Sequence, residues 1–108
     1  MKLMIAVIQR QDEQQLTRAL NQRQFRLTRI SSEGGFLHEG NVTLFLSVDE
    51  GRVTEVLHLI RMHCQTRTKY IAPLPPVAES GEFYPANPIE VQVGGATVFV
   101  VDGEQIRL

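Results

Sequence analysis

The residues best suited to chemistry lie in and around a glycine-rich stretch, SSEGGFLHEG, at positions 31–40. Glycine adopts positive φ angles readily, and successive free backbone N–H groups form a concavity that suits phosphate oxygens. Phe36 and Leu37 stand between the glycines, where an exposed hairpin tip would gain nothing from two apolar side chains, whereas a pocket or a subunit interface would. The stretch therefore indicates either a wide hairpin or a phosphate-binding turn that forms part of a pocket.

Polar side chains flank this turn on both sides. Arg26 and Thr28 precede it, and Asn41 and Thr43 follow it. A guanidinium group, two hydroxyls and an amide beside free N–H groups and an aromatic ring suit a phosphorylated purine. The same residues are also ordinary on the solvated face of two paired strands. Both interpretations stay open at this level.

Other catalytic or metal-binding arrangements are not visible in the sequence. His58 and His63 are five residues apart and Cys64 is adjacent to His63, so the three cannot face one ion as an i, i+4 pair would. No carboxylate pair, nucleophile elbow or Walker loop occurs. We therefore expect no metal, no cofactor and no catalysis, with Cys64 packed in the core and the histidines solvated.

Composition limits the class of protein. The 108 residues are 43% hydrophobic and 21% charged, as in one globular domain, and the net charge of −1 argues against a large nucleic-acid surface. The apolar run at residues 3–8 is too short for a signal peptide, and no run approaches a membrane span. With one cysteine, no internal disulfide can form, and we expect a cytoplasmic protein.

Hydrophobic periodicity predicts six elements with a long connection before the last. Alternation changes to helical spacing and back twice along the chain, and five prolines between 73 and 88 predict a long, flexible loop at about 65–88. Asp12, with Gln15, is expected to cap the first helix, and Asp49 the second. The predicted elements are strand 1–8, helix 12–23, strand 25–30, strand 42–48, helix 49–64 and strand 89–101, the last with a bulge or a close backbone approach at Gly94 and Gly95.

The order strand, helix, strand, strand, helix, strand predicts a ferredoxin-like α+β fold, βαββαβ, as a single domain over residues 1–108. Both helices would cover one face of an antiparallel sheet. Because several strands carry apolar residues on both faces, the second face needs another covering layer. A homo-oligomer that packs these sheets together would provide it.

Three segments together carry a resemblance to a known family: MKLMIAVIQ, FRLTRISSEGGFLHEGNVTLFLSV and PIEVQVGGATVFVV. The chain resembles the bacterial PII-like signal-transduction proteins that act as cyclic di-AMP receptors, over nearly its whole length. The resemblance implies a homotrimer of ferredoxin-like subunits. Each of three subunit clefts would bind one cyclic dinucleotide, and mobile loops would report it.

The resemblance also implies the site residues. The backbone of Gly35, Phe36 and Leu37 would meet phosphate, Thr28 and Asn41 would contact adenine, and Arg26 and Phe99 would line the pocket. Two positions differ from the family pattern. Ser47 stands where the family tends to have glycine, and Gln105 or Arg107 stands in for a glutamine that approaches a phosphate. The predicted ligand-binding residues are Arg26, Thr28, Gly35, Phe36, Leu37, Asn41, Ser47, Phe99 and Arg107.

The sequence thus predicts a non-enzymatic signalling receptor for cyclic di-AMP, with an unidentified protein target. One alternative is a PII-like sensor of another adenine nucleotide. Another is a protein-interaction trimer without a nucleotide ligand. A small phosphohydrolase on the same fold ranks last, because no base, nucleophile or metal set is visible.

Overall fold

The computed structural model describes residues 1–30, 40–71 and 89–108. These form six strands, two α-helices and one short 3₁₀ turn. Gly35, Phe36 and Leu37, and most of the predicted 65–88 loop, lie outside the described residues. In chain order the elements are β1 (Lys2–Gln9), α1 (Arg10–Gln22), β2 (Leu27–Ile30), β3 (Asn41–Val48), a 3₁₀ turn (Glu50–Arg52), α2 (Val53–His63), β4 (Arg67–Ile71), β5 (Ile89–Val93) and β6 (Ala96–Asp102).

Four strands form the main sheet in the order β2-β3-β1-β6, and each neighbouring pair is antiparallel. Strand β3 lies between β1 and β2, which are joined through α1, and this is the split βαβ arrangement. The mixed α+β architecture, with two helices and antiparallel sheets, is consistent with the predicted ferredoxin-like fold.

The hydrophobic core lies between this sheet and the two helices. Alternate residues of β1 and β3 point towards the helices, because successive strand side chains project to opposite faces. From the helices, Leu16, Leu20, Val56 and Ile60 meet them, and all four are buried. The buried apolar residues of the strands are Met4, Ala6, Ile8, Val42, Leu44, Leu46 and Val48.

The opposite side of the sheet, here called the open face, carries apolar residues that neither helix covers. One row crosses all four strands: Thr28 lies opposite Phe45, Phe45 opposite Ile5, and Ile5 opposite Phe99. On β6, at the end of this row, Phe99 is 54% exposed. Val101, on the same face of β6, is 44% exposed. The predicted excess of apolar residues on both faces is therefore present.

The predicted strand 89–101 is two strands. Strand β5 pairs with β4 in a separate two-stranded sheet, whereas β6 pairs with β1. Gly94 and Gly95 separate them with φ angles of +86° and +87°, a backbone conformation that favours glycine. In place of a bulge there is thus a full break, and the predicted alternative, a close backbone approach, is present because a Cβ at Gly94 would clash with the carbonyl oxygen of Gln65. The predicted loop also begins with a strand, β4, at the residues Arg67–Ile71.

The predicted helix caps are wrong in their details. Helix α1 begins at Arg10 after Gln9, so Asp12 lies within its first turn and caps nothing. Asp49 does precede the 3₁₀ turn, but its side chain makes no capping hydrogen bond. Asp12 is instead 2% exposed and pairs with Arg67. In the described part of the chain, no helix is long and apolar enough to cross a membrane.

Candidate functional site

A cleft of about 630 Å³ opens at the end of the sheet where β2 begins and β3 ends. Four of the predicted site residues line it, although they come from three separate parts of the chain. We call it the arginine cleft and define it by the residues Arg26, Thr28, Ser47, Arg52, Gln105 and Arg107.

Strand geometry explains why the first three meet. Thr28 and Ser47 project to the open face, and the β2–β3 ladder places Leu27 opposite Leu46, so Arg26 lies beside Ser47. The C-terminal residues reach the same place because β6 runs antiparallel to β1 and ends near its start. There the Gly103 N–H donates to the carbonyl of Met1 at 3.1 Å. Gln105 and Arg107 follow directly.

Arg52 is held in place by the surrounding protein. Its Nε and Nη2 donate to the carboxylate of Glu55 at 3.1 and 3.3 Å, and Nη2 also donates to the carbonyl of Arg23 at 3.1 Å. The guanidinium lies 3.9 Å from the centroid of the Phe25 ring, a cation–π contact. These hydrogen bonds from Arg52 are the main reason that the pKa of Glu55 is lowered. Arg52 thereby fixes the segment that leads into Arg26.

Arg26 and Arg107 have no such attachment among the described residues, where neither forms an ion pair. Both are exposed at the cleft. The Ser47 hydroxyl donates to the Met1 sulfur at 2.6 Å. Two guanidinium groups that no described carboxylate pairs with, beside hydroxyl and amide groups, can bind an anion such as phosphate.

Asn41 lies at the other end of the open face. It occupies the first position of β3, six residues from Ser47, a separation of about 20 Å along an extended strand. A second cavity of about 560 Å³ opens there, and Gln9, Arg10 and Gly40 line it with Asn41. The Arg10 N–H donates to the carbonyl of Gly40 at 2.6 Å, which fixes this corner to the start of α1. We call this region the Asn41 corner.

Phe99 belongs to neither cavity. It lies on the edge strand β6, three strand spacings from Thr28 or about 14 Å across the sheet. Together with Phe45 and Ile5, it forms an apolar band between the two polar ends of the open face. Within a single chain the structure therefore brings Arg26, Thr28, Ser47 and Arg107 together, and it separates Asn41 and Phe99 from them.

Two residues that organise these regions, Arg52 and Gln9, were not predicted from the sequence to have this role. Arg52 and Glu55 form an i, i+3 pair that is readable from the sequence, but the contact with Phe25 depends on how the chain folds back. Gln9 accepts a hydrogen bond from the Gly94 N–H at 2.7 Å, and nothing in its neighbouring residues signals that partner.

Comparison with known proteins agrees with this fold. A family model described as cyclic-di-AMP receptor matches residues 1–107. A crystal structure of a functionally unknown protein from Pediococcus pentosaceus is also similar. It shares 36% sequence identity with a TM-score of 0.75, over 99% of this chain and 95% of that one. The resemblance to PII-like proteins read from the sequence is thus confirmed, and the chain belongs to the cyclic-di-AMP receptor family.

Proposed function

We propose that this chain is a non-enzymatic signalling receptor that binds cyclic di-AMP and acts as a homotrimer. One observation carries the proposal: in a member of this family, four predicted ligand-binding residues from distant parts of the chain line a single cleft. That cleft adjoins an apolar band suited to the faces of adenine rings.

The arginine cleft would bind phosphate. Arg26 and Arg107 supply positive charge, and Thr28, Ser47 and Gln105 supply hydrogen-bonding groups beside it. A cyclic dinucleotide carries two phosphodiester groups, and guanidinium groups form charge-assisted hydrogen bonds with such oxygens. Gly35, Phe36 and Leu37, outside the described residues, remain proposed contacts.

The Asn41 corner would bind an adenine edge. The amide of Asn41 has both a donor and an acceptor, which matches the alternating groups on adenine. Its separation of about 20 Å from Ser47 favours a site formed between two subunits, with the two polar ends contributed by neighbouring copies. Phe99 would then reach the ligand from the same subunit boundary.

The open face supports assembly for an independent reason. Phe99 and Val101 are about half exposed, and burying apolar area contributes roughly 25 cal/mol per Å². Packing of three such faces around a common axis would cover them and create three equivalent clefts. We infer a cytoplasmic receptor whose loops rearrange on binding and act on a protein target.

The test is calorimetry of the intact chain with cyclic di-AMP, cyclic di-GMP, ATP and AMP. We expect tight binding of cyclic di-AMP, one per subunit, and no hydrolysis of the bound nucleotide. Arg26→Gln should weaken binding about 10-fold or more, since it removes a charge-assisted hydrogen bond. Arg61→Gln, an exposed position on α2 away from the cleft, is the matched control.

Three results would contradict the proposed receptor function, and a fourth would contradict the proposed site. Preferential binding of ATP or AMP would indicate a sensor of another adenine nucleotide. Failure to bind any of the four nucleotides would favour a protein-interaction trimer. Turnover of a bound nucleotide would identify an enzyme. Equal losses in Arg26→Gln and Arg61→Gln would remove the arginine cleft from the binding site.

A further inference from the structure

The two-stranded sheet of β4 and β5 is here called the β-ribbon. Contacts at its base, where Arg67 begins β4 and Gly94 follows β5, hold it in position. Residues Arg67–Tyr70 are all exposed, and no described side chain of the β-ribbon belongs to the hydrophobic core. The apolar packing that fixes the helices therefore does not fix these two strands. Among the described residues, the contacts that set its direction are polar and lie where the ribbon joins the domain.

The first of these contacts comes from Gln9. The Gly94 N–H, just after β5, donates to Gln9 Oε1 at 2.7 Å. Gln9 is the last residue of β1 and lies directly opposite Asn41 in the β1–β3 ladder. The residue that holds the base of the β-ribbon is thus the cross-strand neighbour of a proposed adenine contact, and both line the same cavity.

The second contact is an ion pair with a buried partner. Arg67, the first residue of β4, donates from Nη2 to Asp12 Oδ1 at 3.0 Å and from Nη1 to the carbonyl of Gln65 at 3.0 Å. Asp12 is 2% exposed, and its Oδ2 has no hydrogen-bond partner among the described residues. Removal of Arg67 would leave this carboxylate without its neutralising charge.

A candidate hinge, Gly94 and Gly95, lies between these contacts. Gly94 and Gly95 both have positive φ, and a Cβ at Gly94 would lie 2.1 Å from the carbonyl oxygen of Gln65. The Gly95 N–H donates to the carbonyl of Cys64 at 2.6 Å, so the domain side of the hinge is attached to the end of α2. On the ribbon side, rotation about Gly94 would break the hydrogen bond to Gln9.

We propose that Gln9 is a positioning residue that couples the Asn41 corner to the β-ribbon, so that a nucleotide at Asn41 changes the ribbon's orientation. The proposal rests on the proposed function, because it specifies how that site is read out. Movement of the corner reaches the ribbon by two routes from the start of α1. Gln9 pairs with Asn41, and the backbone N–H of Arg10, on the helix that carries Asp12, donates to the Gly40 carbonyl.

The coupling must act in both directions. If nucleotide binding favours one orientation of the β-ribbon, then a change at the ribbon base must alter nucleotide affinity by the same factor. A side chain that merely stabilises the fold would change the stability without changing the ribbon's response to the ligand. The response, rather than the stability, therefore distinguishes the two roles.

The experiment measures amide hydrogen exchange in residues 67–71 and 89–93 of the full chain, with and without saturating cyclic di-AMP. The test variant is Gln9→Leu, which removes the acceptor of the Gly94 N–H. Gln11→Leu is its control, because the Gln11 amide donates at 2.7 Å to the same Gln9 oxygen but forms no hydrogen bond with the described residues of the β-ribbon. Gln9→Glu keeps an acceptor at this position and serves as the conservative variant.

We expect cyclic di-AMP to change exchange in the wild-type β-ribbon. Without ligand, the ribbon of Gln9→Leu should exchange roughly 5-fold faster than that of the wild type, as expected for loss of one hydrogen bond that restrains it. Its response to ligand should fall to less than a third of the wild-type response. Gln11→Leu and Gln9→Glu should behave as the wild type without ligand.

Unchanged ligand-free exchange in Gln9→Leu, or a full ligand response in that variant, would overturn the proposal. So would a wild-type ribbon that does not respond to calorimetrically verified binding, although the receptor function would then stand. A wild-type chain that binds no cyclic di-AMP would overturn the proposed function, and the ligand-free comparison would still decide whether Gln9 holds the ribbon.

Discussion

Asn41 and Ser47 project from the same face of β3 at its opposite ends, six residues apart. Between them lie Thr43 and Phe45, so the strand reads polar, apolar and polar along its open side. A bound molecule that contacts both ends must either span about 20 Å or lie where two subunits meet. The two polar ends can therefore be tested separately.

The first prediction concerns the Asn41 end. Asn41→Ala should weaken cyclic di-AMP binding by about 1 to 3 kcal/mol, the cost of leaving a buried polar group of the ligand unpaired. The thermal stability of the protein should hardly change. Calorimetry and thermal unfolding of the same variant give the two quantities.

Asn21→Ala is the control, because Asn21 is exposed on α1 and lies away from the open face. If Asn41 serves only the local turn, the pattern reverses. Stability would then fall by about 1 kcal/mol through loss of a local side-chain bond, with affinity unaltered.

The second prediction concerns assembly through the open face. Val100 and Val101 are neighbours on β6 and are 42% and 44% exposed, but Val101 lies opposite Leu3 on the open face and Val100 opposite Met4 on the helix side. Val101→Glu would place a charge in a proposed apolar interface, which is costly when unpaired. It should therefore dissociate the assembly, whereas Val100→Glu should not.

Light scattering at micromolar concentration measures this directly. The wild type should have three times the 12.2 kDa mass of one chain. A monomeric wild type would contradict the trimer. Dissociation by Val100→Glu alone would place the interface on the helix side instead.

The third prediction concerns the base of the β-ribbon. Arg67→Met should lower the free energy of unfolding by about 1 to 2 kcal/mol, because it leaves the buried Asp12 carboxylate unpaired. The value lies below that of a fully buried pair because the Arg67 side chain is 46% exposed. Lys69→Met, on the same strand and also exposed, is the control. Urea unfolding of both variants measures the difference, and equal losses would show that the ion pair adds nothing.

The sequence predicted those features of the fold that depend on residues close together along the chain, and it did not predict contacts between distant residues. The apolar run of β1, the alternation in β3 and the helical spacing in α1 and α2 directly reflect burial, so these elements were predicted, although α1 begins at Arg10 rather than at Asp12. Asp12 was assigned to a cap because its neighbours permit one. Its actual partner, Arg67, lies 55 residues further along the chain, and no local pattern could indicate that pairing.

In the candidate site too, some features follow from local sequence patterns and others depend on distant parts of the chain. The grouping of Arg26, Thr28 and Ser47 follows from alternation on two paired strands. The break at Gly94 and the strand β4 were missed because β4 is short and exposed, and its partner β5 lies about 20 residues away. The distance between Asn41 and the arginine cleft also depends on strand register, which the composition of the turn does not determine.

The last prediction concerns Cys64, which is buried at the end of α2. Burial, with a smaller contribution from the nearby Asp12 carboxylate, raises the pKa of the Cys64 thiol to about 11 from its ordinary value of 9.0. The folded protein therefore holds this proton more tightly than the unfolded chain. The resulting stabilisation is complete below about pH 8, and it is lost as the pH rises from about 9 through 11.

The free energy of unfolding should therefore decrease between pH 8 and pH 10.5 by about 2 kcal/mol more in the wild type than in Cys64→Ala. Other groups that titrate in this range contribute to both proteins and cancel in the difference. Urea unfolding at the two pH values measures it, and alkylation of the native thiol by iodoacetamide at pH 8 should be slow for the same reason. Parallel pH dependence in the two proteins, together with rapid alkylation, would show that the thiol ionises as easily in the folded state as in the unfolded chain.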